Sequence, residues 1–497
     1  MAGYSKRIVE GAFFVTISSI IIAILGYLLR LVLARNLSVE EYGLVYAIIS
    51  LVTIFSIFVG FTVPPVSLVK YISEFKTKGE TEKIKKLIRI IYTFHFVSAF
   101  LIGSIFIIFS KTISKGYLGS EKYFILIILY SIFFIIVPLF SLLKDIFRGF
   151  QKINYYTWAN ISQPFFLLIF TLLFVSLDYG ISSVFIAYIL SAFSSLIIFY
   201  FIFIKKVFNL KNLFTLNFDK SLIKNISGFA FPLFLVALFD IVYGRLDSIL
   251  LSKLASLKDV GLYNAAYPTV SSIWGIVSSV VVFLIPIISE ISAKEEYNKI
   301  RLTVNTLYKY ALVLVLPIMT FIFLFSESVL NILFGNEYIA AATALKILSL
   351  GIIMQVLIRI NNAVFIGNAN TKIMVKFLMV GSILNIFLNL LLIPIMGLNG
   401  AAIAMVSSFF VMLSISMVFL KKQFKLKWDI LIYIKIILLN ILVYFLILFL
   451  KSYINNPILL LILIVIVGLT YMLSILYLNI IKIDEIKRYI PFFKNKR

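Results

Sequence analysis

The chain alternates between long apolar stretches and short polar links. Each stretch runs for roughly 20–26 residues, the length with which an α-helix crosses about 30 Å of hydrocarbon. The stretches are uniformly apolar rather than alternating, which favours helices over the strands of a β-barrel. The pattern predicts fourteen transmembrane spans, numbered 1 to 14 in chain order: 9–34, 43–69, 88–110, 123–147, 155–177, 181–204, 226–252, 262–290, 304–326, 341–366, 373–395, 399–420, 430–450 and 457–481.

Seventeen residues near the N-terminus recur 218 positions further along the chain. Residues 31–47 read LVLARNLSVEEYGLVYA, and residues 249–265 read ILLSKLASLKDVGLYNA. Each copy contains the end of one span, a short link and the start of the next span, so spans 1 and 2 correspond to spans 7 and 8. Because an even number of spans separates the copies, we expect two halves with the same orientation in the membrane, a parallel repeat.

The repeat predicts an all-α polytopic membrane protein with two six-helix lobes. We expect an N-terminal lobe of spans 1–6, an amphipathic cytoplasmic linker, a C-terminal lobe of spans 7–12, two further helices and a basic cytoplasmic tail. The boundaries of these five parts are 1–204, 205–225, 226–420, 421–481 and 482–497. The linker mixes lysine with leucine and phenylalanine, which is typical of a segment that lies along the membrane surface.

Composition agrees with this architecture, and the distribution of charge orients it. The chain is 62% hydrophobic and 13% charged, whereas soluble domains are about 25% charged. The net charge of +24 could indicate nucleic-acid binding, but most of the 45 lysines and arginines lie at the two ends and in the links after even-numbered spans. This positive-inside bias predicts a plasma-membrane protein with both termini in the cytoplasm and no nucleic-acid partner. The abundance of Ile, Lys, Phe and Asn indicates an AT-rich prokaryotic genome.

Charged side chains inside the spans are the first candidates for function, because a charge in hydrocarbon is costly. Arg30 lies near the outer end of span 1. Its side chain could face a cavity, or it could have a structural role or reach along the helix to the membrane–water interface, and these interpretations are open. In span 7, Asp240 and Asp247 are two turns apart and share a face. Asp240 lies deep in the span, which makes its carboxylate a candidate site for coupling to a proton or a cation. For Arg245 and Asp247, a structural salt bridge and a substrate role are both open.

Span 10 carries a polar stripe on one face of its helix. Gln355, Arg359 and Asn362 follow the i, i+4, i+7 spacing that aligns side chains. Lys346 lies nearer the end of the same span and shares that face only if the helix is irregular. These four residues are further candidates for function inside the membrane.

The remaining polar residues favour structural roles, and nothing in the sequence indicates an enzyme. No phosphate-binding loop, metal-ligand cluster or nucleophile constellation is present. The repeat aligns Glu41 with Asp259, which indicates that both acids cap helices. Asn385 and Asn389 have the spacing of an interhelical contact. His95, the only histidine, is expected to be a structural, hydrogen-bonded residue.

Several segments together resemble one family. The chain resembles the polysaccharide-transporter (O-antigen flippase-like) branch of the multidrug/oligosaccharidyl-lipid/polysaccharide (MOP) exporter superfamily, and with its fourteen spans the resemblance covers essentially the whole length. The matching segments are RLVLARNLSVEEYGLVYAIIS at 30–50, FRGFQKINYY at 147–156, RLDSILLSKLASLKDVGLYNAAY at 245–267, ILFGNEYIAAATALKILSLG at 332–351 and LNLLLIPIMGLNGAAIAMVSS at 388–408.

This resemblance implies a MATE-like, V-shaped pair of lobes that alternates between inward- and outward-facing states. It also implies a flippase for polyprenyl-diphosphate-linked oligosaccharides, with membrane glycosyltransferases or a polymerase as functional partners. The diphosphate would be bound by Arg30, Arg245 and Arg359, with Lys346 behind them, because the arginine fork matches phosphate oxygens. Gln355 and Asn362 are further candidates for contact with the diphosphate or the sugar.

We expect a monomer without a cofactor. Coupling to a proton or a sodium ion, which the resemblance also implies, would give Asp240 and Asp247 a role. The alternatives are a multidrug or cation antiporter of the same superfamily, a lipid II-type flippase, a lipid scramblase without sugar specificity, and a membrane glycosyltransferase or polymerase.

Overall fold

The protein is described from a computed structural model. The described residues are 2–59, 65–207, 243–281, 284–451 and 457–478, together with the single positions 234, 238, 239, 241, 480 and 481. Most of the predicted linker, the predicted C-terminal tail and Asp240 lie outside these residues.

The described part of the chain is built from α-helices joined by short turns. In chain order the helices are α1 (Ala2–Asn36), α2 (Val39–Ile54), α3 (Ser56–Val59), α4 (Pro65–Thr77), α5 (Thr81–Ile108), α6 (Ser110–Leu118), α7 (Phe124–Gly149), α8 (Ile153–Ser176), α9 (Ser182–Lys206), α10 (243–254), α11 (Leu257–Val281), α12 (Leu284–Ala293), α13 (Tyr297–Leu324), α14 (Ser326–Leu333), α15 (Ala342–Gly367), α16 (Thr371–Phe424), α17 (Ile430–Lys451) and α18 (Pro457–Tyr477). Two short 3₁₀ helices precede α7 and α15.

Ten helices in the described residues are long and apolar enough to cross a membrane. Helical residues occupy every predicted span, with span 7 described mainly over 243–254. Many apolar side chains on these helices are exposed, among them Ile108 and Ile395, and such surfaces are suited to contact with lipid. The prediction of an all-α polytopic membrane protein is therefore confirmed.

The 54-residue helix α16 contains a break that separates predicted spans 11 and 12. Gly397 has φ 53° and ψ −132° inside it, a conformation that residues with a side chain rarely adopt. A Cβ at this position would also lie 3.2 Å from a carboxylate oxygen of Asp259. Glycine therefore allows the chain to turn here without a longer link.

The repeated motif begins two helices in the same way. The Ser38 hydroxyl accepts a hydrogen bond from the backbone N–H of Glu41, and the Glu41 carboxylate accepts one from the backbone N–H of Ser38, at the start of α2. At the start of α11, the Ser256 hydroxyl accepts from the Asp259 backbone N–H and donates to the Asp259 carboxylate. These contacts cap the first turns of both helices. The predicted capping role of Glu41 and Asp259 is confirmed.

The glycine that both copies of the motif share marks a close crossing of the repeats. A Cβ on Gly43 would lie 1.8 Å from the carbonyl oxygen of Leu257 and 2.8 Å from the backbone nitrogen of Gly261. A Cβ on Gly261 would lie 2.2 Å from the carbonyl oxygen of Val39. The first turns of α2 and α11 thus touch backbone to backbone, because neither carries a side chain at the crossing.

The chain folds into two compact units, each made of several separate segments. Unit 1 comprises Met1–Ser272, Leu330–Ala341 and Leu378–Ala404, and unit 2 comprises Ile273–Val329, Ala342–Phe377 and Met405–Arg497. A buried cluster in unit 1 is built around Phe140, Phe147 and Phe203, and one in unit 2 is built around Phe325 and Tyr471. The candidate site residues belong to both units and are described within each.

Candidate functional site

Unit 1 contains a cavity of about 440 Å³ in which two of the predicted cationic residues occur together. Arg30 reaches it from α1 and Arg245 from α10, and both side chains are half-buried. The polar and aromatic residues that share the lining are Tyr27, Tyr46, Gln163, Tyr188, Ser271 and Ser272. The cavity therefore combines two permanent positive charges with tyrosine rings and neutral hydrogen-bonding groups.

Arg30 is held by contacts from both repeats. Its guanidinium carbon lies 4.6 Å from the centre of the Tyr46 ring, and its Nη1 donates to the backbone carbonyl of Asn264 at 3.4 Å. Asn264 in turn donates from its side chain to the Ser248 hydroxyl at 2.9 Å. In the 218-residue register Arg30 corresponds to Ser248 and Tyr46 to Asn264. The same pair of positions is thus in contact in each repeat, but only the first repeat carries the charge.

Arg245 and Tyr27 also occupy equivalent positions of the repeat. Both line the cavity, and the Tyr27 hydroxyl lies 3.0 Å from the Thr269 hydroxyl of the other repeat. Among the described contacts, the Asp247 carboxylate accepts hydrogen bonds from Tyr263 and Asn389 and not from Arg245. A salt-bridged role and a substrate role for Arg245 both stay predictions.

Asp247 is buried, 2% exposed, in a polar network that joins three helices. Its two carboxylate oxygens accept hydrogen bonds from the Tyr263 hydroxyl at 2.5 Å and from the Asn389 amide at 2.7 Å. Asn389 also donates to the side-chain oxygen of Asn385. The predicted interhelical contact is confirmed for Asn389, which reaches Asp247, while Asn385 accepts a hydrogen bond from Asn389 within the same helix. Asp240, the second predicted coupling residue, lies outside the described residues.

The four candidates of span 10 belong to unit 2, and none is among the described residues that line the unit 1 cavity. Gln355 is buried, whereas Arg359 and Asn362 are half-buried. Within the described residues, Arg359 Nε and Asn362 Oδ1 are buried atoms without a hydrogen-bond partner. Lys346 instead lies 3.5 Å from the Glu327 carboxylate and is 36% exposed. The stripe thus leaves polar atoms unsatisfied at Arg359 and Asn362, but Lys346 is engaged near the surface.

Sequence reasoning missed the aromatic part of the cavity and one polar network. Tyr46 and Tyr188 read as ordinary residues of apolar spans, although Tyr46 is a position where the two copies of the motif differ in side-chain type. In unit 2, the Tyr308 hydroxyl donates to Asn361, and Asn361 donates to the Ser416 hydroxyl. Asn361 lies between Arg359 and Asn362 in sequence, but the i, i+4, i+7 spacing that picked out those two residues does not include it.

The other polar residues give no indication of a metal or acid–base centre. The described residues contain no group of three or more His, Cys, Asp or Glu side chains able to hold a metal ion. His95 is buried and lies 2.9 Å from the carbonyl oxygen of Ile91 in its own helix through Nδ1. Its hydrogen bond within the helix agrees with the structural role expected for it.

Two family models match the sequence. The model described as "Polysaccharide biosynthesis protein" matches residues 8–292, more than half of the chain. The model described as "MatE" matches residues 232–391. The two matches overlap at the motif that opens the second repeat.

Three curated relatives are similar to this chain. The "Uncharacterized membrane protein MJ1068" of Methanocaldococcus jannaschii is 28% identical over 97% of this chain and 98% of its own length. The "Probable low-salt glycan biosynthesis flippase Agl15" of Haloferax volcanii is 26% identical over 34% of this chain and 35% of its own length. The "Lipid II flippase MurJ" of Bacillus subtilis is 22% identical over 86% of this chain and 85% of its own length.

Solved structures share the fold at low sequence identity. A lipid II flippase MurJ in an inward closed conformation superposes with a TM-score of 0.75 at 18% identity, covering 95% of this chain and all of that one. An inward-facing multidrug MATE transporter of the MOP superfamily gives 0.66 at 15% identity, covering 82% of this chain and 98% of that one. With the family match, the chain belongs to the polysaccharide biosynthesis protein family and is a multi-pass, flippase-like transporter of the MOP superfamily rather than an enzyme.

Proposed function

We propose that the protein flips a polyprenyl-diphosphate-linked oligosaccharide from the cytoplasmic to the outer leaflet by alternating access. Similarity to Agl15, named as a probable flippase of glycan biosynthesis, and to MurJ, named as a lipid II flippase, supports this substrate class. The protein then acts in a prokaryotic plasma membrane, as a monomer with both termini in the cytoplasm. Membrane glycosyltransferases supply its substrate or a polymerase consumes its product.

The observation that carries the proposal is the pairing of Arg30 and Arg245 in one tyrosine-lined cavity. A diphosphate that leaves water needs fixed cations, and each guanidinium can direct two parallel N–H groups at phosphate oxygens. The aromatic rings and the neutral polar groups suit a sugar, which presents both C–H and hydroxyl faces. A cation antiporter would instead favour acids in its cavity, whereas the charged residues of this lining are both basic.

A transport assay with two kinds of substrate tests the proposal. The purified protein in proteoliposomes should translocate a fluorescent polyprenyl-diphosphate oligosaccharide, measured by the accessibility of its sugar to an added glycosidase. The same lipid with a neutral head group should move at the rate of empty liposomes. Uptake of a cationic dye without movement of the diphosphate lipid would overturn the proposal in favour of the multidrug or cation antiporter.

We assign ion coupling to Asp247, with Asp240 as its partner in the same span. Asp247 is a buried carboxylate whose two oxygens accept hydrogen bonds from two other helices. A proton or a cation bound there would compete for these oxygens and weaken the hydrogen bonds that join the three helices. Asp247→Asn removes the charge with little change in shape. We expect this variant to reach the membrane but to lose the dependence of its flipping rate on a pH or sodium gradient.

The matched control is Asp178→Asn. Asp178 is exposed in a link and has a left-handed backbone, φ 54°, that asparagine also tolerates. Asp178→Asn should therefore keep both the rate and its gradient dependence. An Asp247→Asn protein with the gradient dependence of the unmodified chain would remove Asp247 from the coupling site.

A further inference from the structure

Arg35, at the outer end of α1, donates two hydrogen bonds to the end of a short helix from the other repeat. Its Nε donates to the carbonyl oxygen of Leu333 at 3.2 Å, and its Nη2 donates to that of Ile332 at 2.6 Å. These carbonyls belong to the last turn of α14, where an α-helix leaves its C=O groups without internal partners. A cation at such a C-terminus is also favoured by the helix dipole.

Lys253, at the end of α10, makes the corresponding contact in the opposite direction. Its Nζ donates at 2.8 Å to the carbonyl oxygen of Gly116, in the last turn of α6. Here the second repeat supplies the cation and the first repeat supplies the helix end. Both cationic side chains are exposed.

The two contacts are equivalent in the register of the repeats. Arg35 and Lys253 are aligned by the 218-residue offset of the motif. Gly116 and Ile332 are 216 positions apart, and each stands three residues before a left-handed glycine, Gly119 with φ 77° or Gly335 with φ 113°. A 3₁₀ helix follows in both places. The sequence signals are LGSEKY at 118–123 and FGNEY at 334–338.

All four segments are links that follow odd-numbered spans, so the predicted topology brings them to the outer side of the membrane. The close crossing of Gly43 and Gly261 lies at the start of the helices that follow two of these links. Each contact joins the two repeats, and opening a path between them on this side would separate its donor from its acceptor.

We propose that Arg35 and Lys253 are reciprocal latches that hold the outer side of the transporter closed. The proposal rests on alternating access as the proposed function, since only a transporter that opens outward needs a releasable outer contact. Exposure makes both contacts weak enough to break in each cycle, because solvent and salt screen a charge at a helix end. Two latches acting together favour the closed outer side more than either alone.

Spin-label distances between the repeats test the latches without any substrate. The chain has no cysteine, so Lys122→Cys and Glu337→Cys, both at exposed positions that follow the latched helices, accept labels selectively. We expect two populations, with a shorter label-to-label distance when the outer side is closed and a longer one when it is open. Arg35→Gln or Lys253→Gln should increase the open population about threefold, and the double variant about tenfold. Distance distributions that do not change in the double variant would overturn the proposal.

Two further variants separate the latch from a general effect of charge. Lys258→Gln removes an exposed lysine in the first turn of α11, five residues after Lys253, and should leave the distances unchanged. Arg35→Lys keeps a cation and one donor, and should retain most of the closed population. Because the labelled protein is measured without substrate, a failure to flip glycolipid would refute the proposed function and leave the distance result standing. Unchanged distances with intact flipping would refute only the latches.

Discussion

Replacing Arg30 with alanine is expected to lower the rate of diphosphate-lipid flipping about a hundredfold, because a desolvated charge-assisted contact to phosphate is worth about 3 kcal/mol. The side chain is ready to bind, since the Tyr46 ring and the Asn264 carbonyl fix its position. The guanidinium carries five N–H groups, so it can bind the Asn264 carbonyl and still direct N–H groups at phosphate oxygens. The rate is measured in proteoliposomes at equal protein content.

Two variants show whether the loss belongs to this site. Arg30→Lys keeps the charge but not the planar fork, so we expect a loss of about tenfold. Arg148→Ala removes an arginine that is exposed at the end of α7 and should leave the rate nearly unchanged. If Arg30→Ala flipped the lipid at the rate of the unmodified protein, the unit 1 cavity would not be where the diphosphate binds.

Gly43→Ala should be the most destabilising small substitution in the repeated motif. The added methyl group would lie 1.8 Å from the Leu257 carbonyl oxygen, so the first turns of α2 and α11 must separate. Overpacking of this kind costs about 2–3 kcal/mol. The expected result is a lower midpoint of thermal unfolding in detergent, followed by the intrinsic fluorescence of the protein. Gly261→Ala should have a similar effect, because it meets the Val39 carbonyl oxygen from the opposite side.

Gly468→Ala is the matched control, since an added Cβ at Gly468 in α18 meets nothing within 4 Å. Alanine is also the better helix former, so this variant should unfold at the same temperature as the unmodified chain or slightly higher. If the Gly43→Ala protein unfolded at the same temperature as the Gly468→Ala protein, α2 and α11 could separate without loss of stability. The close crossing would then not stabilise the fold.

Much of the fold follows from local properties of the chain. The positions of the helices were predictable from the length and the uniformly apolar character of each stretch. In lipid, a spanning segment of this kind must make its backbone hydrogen bonds within itself, as an α-helix does. The alignment of Glu41 with Asp259 likewise predicted that both acids cap helices, since a capping contact needs only residues three positions apart. The break at Gly397 is also visible as a glycine between two apolar stretches.

The candidate site was predictable only in part. Intramembrane charge singled out Arg30, Arg245 and Asp247 from the sequence, because few residues carry charge at such depth. It did not reveal that Arg30 and Arg245 share a cavity with Tyr46, or that Asp247 bonds to Asn389. Lys346 met the same criterion and pairs with Glu327 near the surface.

The sequence by itself determined the positions of the helices and the similarity of the two repeats. It also identified the charged residues inside the spans, which are too costly to expose to lipid without a partner. Only the tertiary structure decided which of these residues meet. The Arg35 and Lys253 latches show the reason, since their acceptors are backbone carbonyls at helix ends. Every residue has such a carbonyl, so side-chain identity cannot mark the partner. Which carbonyl accepts the bond depends on how two helices from distant parts of the chain are rotated and how closely they approach. Helix packing sets both their rotation and their distance.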